Sequence, residues 1–173
     1  YGKALRTVKS CGGKAGCRGG HWRRGRDGGG AAEVGREASA ETITGMVAQL
    51  HLAIEAGGLG FSTTRARTHS DGDGQPVASR WAGHDELMAF ADAIGRAGHG
   101  VFELVSDHAT TTEREVMYDI AKHTGDTVTY ALAQSPMSPD AYRAVLDDVV
   151  LVPAEGVQIV PQVSNRPPGL LCG

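Results

Sequence analysis

The chain has 173 residues, 40% hydrophobic and 21% charged, with a formal net charge of −3. That length supports one domain with its own core, and the absence of any 18-residue apolar run excludes a transmembrane helix. The average conceals a split: residues 1–30 hold ten Gly, eight Lys/Arg and one acid, Asp27, a formal +7, so with the whole at −3 residues 31–173 carry −10.

Residues 1–32 show no apolar periodicity and are expected to be disordered. Three readings of this segment stay open: sequence read in the wrong frame of a GC-rich gene, a linker, or a basic arm for nucleic acid. Trp22 stands alone there, without the aromatic interleaving of a stacking platform. The segment has no apolar h-region, so it is not read as a secretory signal, and a start at Tyr1 suggests a fragment. Cys11, Cys17 and Cys172 form no disulfide framework, which points to a reduced cytosolic setting. The spacing of Cys11, Cys17 and His21 fits no structural zinc site.

Regular structure is predicted from Ser39 onward. Ser39 is an N-cap with Glu41 in the first turn, Ile43, Met46, Val47, Leu50 and Ile54 follow at helical spacing, and Gly57 closes the helix. Strand one is 59–62 and is followed by a long loop, 65–80, with Asp71-Gly72-Asp73-Gly74 as turn chemistry. Helix two spans 85–97 and stops at Gly98, and strand two is 101–105. Helix three opens with the capping box Thr110-x-x-Glu113 and ends at Gly125, before strand three at 128–132. Helix four starts at Ser138-Pro139-Asp140, a cap followed by Pro at the first helical position, and Pro153 ends or kinks it. Strand four is 157–160, stopped by Pro161.

Short apolar strands alternating with three-turn helices predict an α/β fold with a parallel sheet covered on both faces. Four βα units are at most half of an eight-stranded (β/α)8 TIM barrel, which needs about 250 residues. Enzymes of this class keep their chemistry at the C-terminal ends of the strands. Those ends carry Ser62, Thr63, Thr64 and Arg65, then Ser106, Asp107 and His108, then Gln134 and Ser135, then Gln162, Ser164, Asn165 and Arg166. Asp107 or His108 is a candidate general base or metal ligand, but adjacent strand residues face opposite ways. His69 with Asp71 and Asp73 could meet a cation, although the Ca²⁺-loop spacing is missing and a plain turn is the simpler reading. Gly60-Phe61-Ser62-Thr63-Thr64 lacks the second Gly of a nucleophile elbow. Gly57-Gly58-Leu59-Gly60 precedes its strand, whereas a dinucleotide fingerprint follows one.

The run Ile54-Glu55-Ala56-Gly57-Gly58-Leu59-Gly60-Phe61-Ser62-Thr63-Thr64-Arg65 resembles the EAGALGFSTSR segment of the D-aminoacylase-like (N-acyl-D-amino-acid deacylase) branch of the amidohydrolase superfamily. The likeness continues through Thr68-His69, Asp71-Gly72, Gly100-Val101-Phe102-Glu103-Leu104-Val105-Ser106-Asp107, Thr129-Tyr130-Ala131-Leu132-Ala133-Gln134 and Pro161-Gln162-Val163, so it covers roughly 33–173. It implies a metal-dependent (β/α)8 barrel, with zinc as the usual metal, that hydrolyses non-peptide amide C–N bonds. The family's His-x-His pair would lie upstream and its late Asp downstream. The middle strands, which in the family bring metal-binding His residues, here carry Glu103, Asp107 and Gln134 instead.

The expectation is therefore a partial barrel over 33–173 that is inactive alone, with a small N-acyl amino acid or related amide as partner. Asp107 is the candidate catalytic residue. Arg65 is placed as a bidentate clamp for a substrate carboxylate, and Ser62, Gln134 and Gln162 as pocket lining. No metal ligand is assigned, no membrane is expected, and self-association through open strand edges is foreseen. The alternative is a non-catalytic α/β module with a nucleic-acid-binding arm. It is disfavoured because the folded part is acidic.

Overall fold

A computed structural model describes residues 35–70, 74–107, 110–134, 138–150 and 158–163. The expectations for residues 1–32, Asp71, Asp73, His108, Ser135, Pro153, Ser164, Asn165, Arg166 and Cys172 fall outside them.

Helix α1, Ala40–Glu55, starts where the Ser39 hydroxyl accepts the Thr42 N–H at 3.2 Å, and it buries Met46, Leu50 and Ile54 along one stripe. Strand β1 is Gly60–Thr64, beginning one residue and ending two residues later than the apolar run alone suggested. The stretch 65–80 is not wholly irregular: a 3-10 turn forms at Ala78–Trp81. Helix α2, His84–Ala97, and helix α3, Thr111–Thr124, end at Gly98 and Gly125, which adopt φ of 69° and 61°. These left-handed positions are open to glycine without a Cβ penalty. The Thr110 hydroxyl caps α3 by accepting the Glu113 N–H at 3.4 Å. Strands β2, Val101–Val105, and β3, Val128–Ala131, lie close to their predicted bounds.

Two boundaries differ from expectation. Helix α4 is Ala141–Val150, so Ser138-Pro139-Asp140 forms a turn ahead of it, with the Ala141 N–H donating to the Ser138 carbonyl at 3.2 Å. Strand β4 is Ile159–Gln162 and runs through Pro161 instead of stopping before it. The ladder explains this. The carbonyls of Gln158 and Gln162 accept from the Val128 and Leu132 N–H groups, so the even-numbered residues of β4 bond to β3. Pro161 has the opposite parity, and its missing donor lies on the outer edge, where proline costs no ladder bond.

The four strands are parallel in the order β1-β2-β3-β4. Each pairs with its chain neighbour and the order never reverses. That is the winding of consecutive units in a (β/α)8 barrel, not of a doubly wound sheet with a switch point. The fold is thus α/β, a partial βα repeat.

The register sorts the two faces. Phe61 lies beside Phe102, Phe102 beside Val128, and Leu104 beside both Thr63 and Tyr130. Phe102, Leu104, Val128 and Tyr130 are fully buried in one core with Leu50, Leu87, Phe90, Ile94, Met117 and Ile120 of the helices. Phe61 joins them, stacked on Phe90 with centroids 4.4 Å apart and edge-on to Phe102 at 5.3 Å. On the other face, Val101, Val105 and Val160 remain outside this core and only half-buried. The expectation of strands apolar on both faces is corrected accordingly: the apolar residues concentrate on the helix side, and the opposite face is mixed.

One buried polar group makes a testable point about this core. The Tyr118 hydroxyl, on α3, is buried without a hydrogen-bond partner. Burial raises its pKa above the ordinary 10.0, the Asp148 carboxylate adds to the rise and Arg114 opposes it. The folded state therefore holds the phenol proton that the unfolded chain releases first. The resulting stability is complete below pH about 10 and is lost as pH rises through the folded value. Tyr118→Phe should leave stability at pH 7 unchanged or raise it by up to about 1 kcal/mol. It should also flatten the alkaline fall, as read by urea unfolding at pH 7 and at about pH 11.

Candidate functional site

The face of the sheet turned away from the helices, its inner face, gathers polar groups in rows set by the register. Ser62 lies beside Glu103, Glu103 beside Thr129, and Thr129 beside Val160. One row nearer the C-terminal rim, Thr64 pairs with Val105 and Ala131 with Gln162. Neighbouring strands stand about 4.8 Å apart, so side chains within a row are close enough to reach one small ligand. Glu103 is half-buried and makes no hydrogen bond or ion pair among the described residues. A carboxylate between two hydroxyls, at mid-height on a sheet face, is the feature that sequence reading undervalued. It sits inside an otherwise apolar run, and a period of two would have placed it opposite Phe102 and Leu104.

The predicted site residues separate. Ser62 and Gln162 belong to the inner face, whereas Arg65 does not. Its backbone N–H extends the ladder to the Val105 carbonyl at 2.7 Å. Its side chain meets Glu113, in the first turn of α3, at 2.9 Å, with side-chain exposures of 20% and 15%. Arg65 shares its parity with Phe61 and Thr63, so it turns to the helix layer and is already engaged there. Arg65 Nε and Glu113 Oε2 are buried without hydrogen-bond partners. Removing one charge leaves the other uncompensated. Glu113→Gln should cost about 2 kcal/mol in urea unfolding, and the double change Arg65→Met with Glu113→Leu should recover most of it.

Asp107 stands just beyond β2. One carboxylate oxygen lies 3.4 Å from Arg67 Nε, with side-chain exposures of 78% for Arg67 and 38% for Asp107. Its carbonyl accepts the Thr110 N–H at 3.0 Å and the Thr110 hydroxyl at 3.2 Å, which fixes the turn into α3. The Gln134 side chain donates to the Pro139 carbonyl at 3.0 Å and staples the loop before α4. Thr64 and His69 share a hydrogen bond of 2.8 Å between Oγ1 and Nδ1, which folds the loop after β1 back onto the rim.

Among the described residues no group of three or more His, Cys, Asp or Glu side chains could hold a metal ion. Zinc favours nitrogen and sulfur ligands, whereas the inner rows offer one carboxylate, hydroxyls and an amide. The described residues therefore do not fit that metal. Among the same residues no helix is long and apolar enough to cross a membrane. Comparison with protein-family models, with curated proteins and with solved structures finds no match to this chain.

Proposed function

We propose that this chain is part of a barrel-type hydrolase of non-peptide amide C–N bonds, of the D-aminoacylase-like kind, acting on a small N-acyl amino acid or related amide in a reduced cytosolic setting. The observation that carries the reading is the singly wound parallel sheet, which turns its polar row of Ser62, Glu103 and Thr129 away from the helices. In barrel enzymes substrate binds at the C-terminal rim, above the side-chain layers of that face, and the sequence resemblance over 33–173 suggests the amide class.

In this reading Glu103 accepts the proton of the attacking water or holds the amide N–H, and the Ser62 and Thr129 hydroxyls orient the amide group. Asp107, beyond the end of β2, contacts the part of the substrate that reaches the rim. Four units are half of a closed barrel, so turnover by this chain alone is not expected, whereas binding to its inner face is. The test is a titration of the ¹⁵N-labelled chain with N-acetyl-D-alanine and its neutral amide, followed by amide chemical shifts. Shifts centred on Ser62, Glu103 and Thr129 support the reading. Shifts absent, or confined to the helix layer, sink it.

A further inference from the structure

We infer that Arg67 and His69, on the turn that follows β1, recognise the free carboxylate of an N-acyl amino acid at the C-terminal rim. The inference rests on the amide-hydrolase reading and moves to these two residues the carboxylate-binding role first expected of Arg65.

Three observations converge on it. First, the chain beyond β1 makes a β-turn, closed where the His69 N–H donates to the Ala66 carbonyl at 3.3 Å. The Val77 N–H ties it back by donating to the His69 carbonyl at 3.3 Å, and Ser70 bridges Pro76. Second, both side chains return to the mouth of the inner face. Thr64, the last residue of β1, shares the parity of Ser62, and its Oγ1 lies 2.8 Å from His69 Nδ1. Asp107 shares the parity of Glu103 and Val105, just past β2, and meets Arg67 Nε at 3.4 Å. Thr64 pairs with Val105, so the two anchors stand on neighbouring strand ends. Third, donors remain for a ligand. Arg67 makes no hydrogen bond among the described residues, and neither does His69 Nε2.

The Thr64 hydroxyl already accepts the Ala66 N–H at 3.2 Å, so its own proton points to His69 Nδ1 and the ring proton sits on Nε2. The turn thereby presents a guanidinium fork and one imidazole N–H, which are donors only. A carboxylate matches that set: its two oxygens take paired N–H bonds from the fork, and a remaining lone pair takes the imidazole proton. Asp107 steadies the guanidinium by its Nε side. The Arg67 side chain is 78% exposed, so water screens the pair and the gain is modest, about fivefold over a neutral analogue.

The experiment titrates the whole 173-residue ¹⁵N-labelled chain, at low salt, with anionic N-acetyl-D-alanine and neutral N-acetyl-D-alanine amide. The anion is expected to bind about fivefold more tightly. Arg67→Gln and His69→Phe should each narrow the gap to about twofold or less, without changing the affinity for the neutral probe. Arg166, another cation that follows β4 but lies outside the described residues, is the control, and Arg166→Gln should leave the gap in place. Should a variant at Arg67 or His69 lose its dispersed spectrum, the wild-type chain decides: the anion alone should shift the Ala66 and His69 amides and the His69 ring nitrogens.

Equal or tighter binding of the neutral probe, with shifts on the inner rows, overturns the inference and leaves the amide-hydrolase reading standing. So does a gap that survives Arg67→Gln, a gap that closes with Arg166→Gln, or a wild-type turn that the anion does not shift. If neither probe shifts the inner rows or the rim, the amide-hydrolase reading falls and takes this inference with it.

Discussion

Gly60→Ala is expected to pull β1 away from β2. Gly60 opens β1 at φ +148°, and a Cβ built there lies 2.0 Å from the Val101 carbonyl oxygen and 2.7 Å from the Val101 nitrogen. Both atoms are backbone of the paired strand, so no side-chain rotation relieves the clash. Strand β1 must shift, and with it Ser62 and Thr64. The cost should exceed about 3 kcal/mol, since strain at a positive φ adds to a broken ladder. Gly74→Ala provides the control: its φ is +73°, but nothing lies within 4 Å of the added carbon. That change should cost only about 1 kcal/mol. Urea unfolding of the two variants measures the difference. Equal midpoints would show that β1 is not clamped through Gly60.

Phe102→Ala is the second large effect. Phe102 is fully buried, centred on β2, edge-on to Phe61 and in register with Val128. Truncation removes its apolar contacts and leaves a cavity between sheet and helices, at about 3–5 kcal/mol. Small domains are stable by about 5–15 kcal/mol, so the variant should melt far earlier or fail to fold. Leu52→Ala, at a side chain 58% exposed, should stay within about 0.5 kcal/mol of the parent. Thermal melts followed by circular dichroism make the comparison.

Local signals gave the element order correctly. The stripe of Met46, Leu50 and Ile54, the caps at Ser39 and Thr110 and the stops at Gly98 and Gly125 each act within a turn or two of chain. Where the decisive partner lies far along the sequence, the reading failed. Pro161 looks like a terminator until the ladder shows that its nitrogen faces the free edge of β4. Ser138-Pro139 is a local miss instead: it looks like a helix start, but the Gln134 side chain, close by in the chain, donates to the Pro139 carbonyl in the turn ahead of α4. The candidate site was legible in part. Ser62 and Gln162 fall on the same sheet face as Glu103. Arg65 was read as a clamp because its partner, Glu113, is dozens of residues away and enters only through packing of α3 against the strand end. Glu103 was noted only as standing in place of a family His and was given no role of its own, because its strand neighbours are apolar.

The uninterrupted order β1-β2-β3-β4 has a kinetic consequence. Every strand finds its partner a few tens of residues away, so each pairing closes a loop of similar entropy and none waits on a distant segment. Assembly then has no single bottleneck, and openings should start at the two outer strands and move inward. Amide exchange should be slowest in Phe102, Leu104 and Val128 and fastest along β1 and β4. The inner pair β2–β3 is thus the last part of the sheet to exchange with solvent, and Glu103 and Thr129 are mounted on its most persistent part.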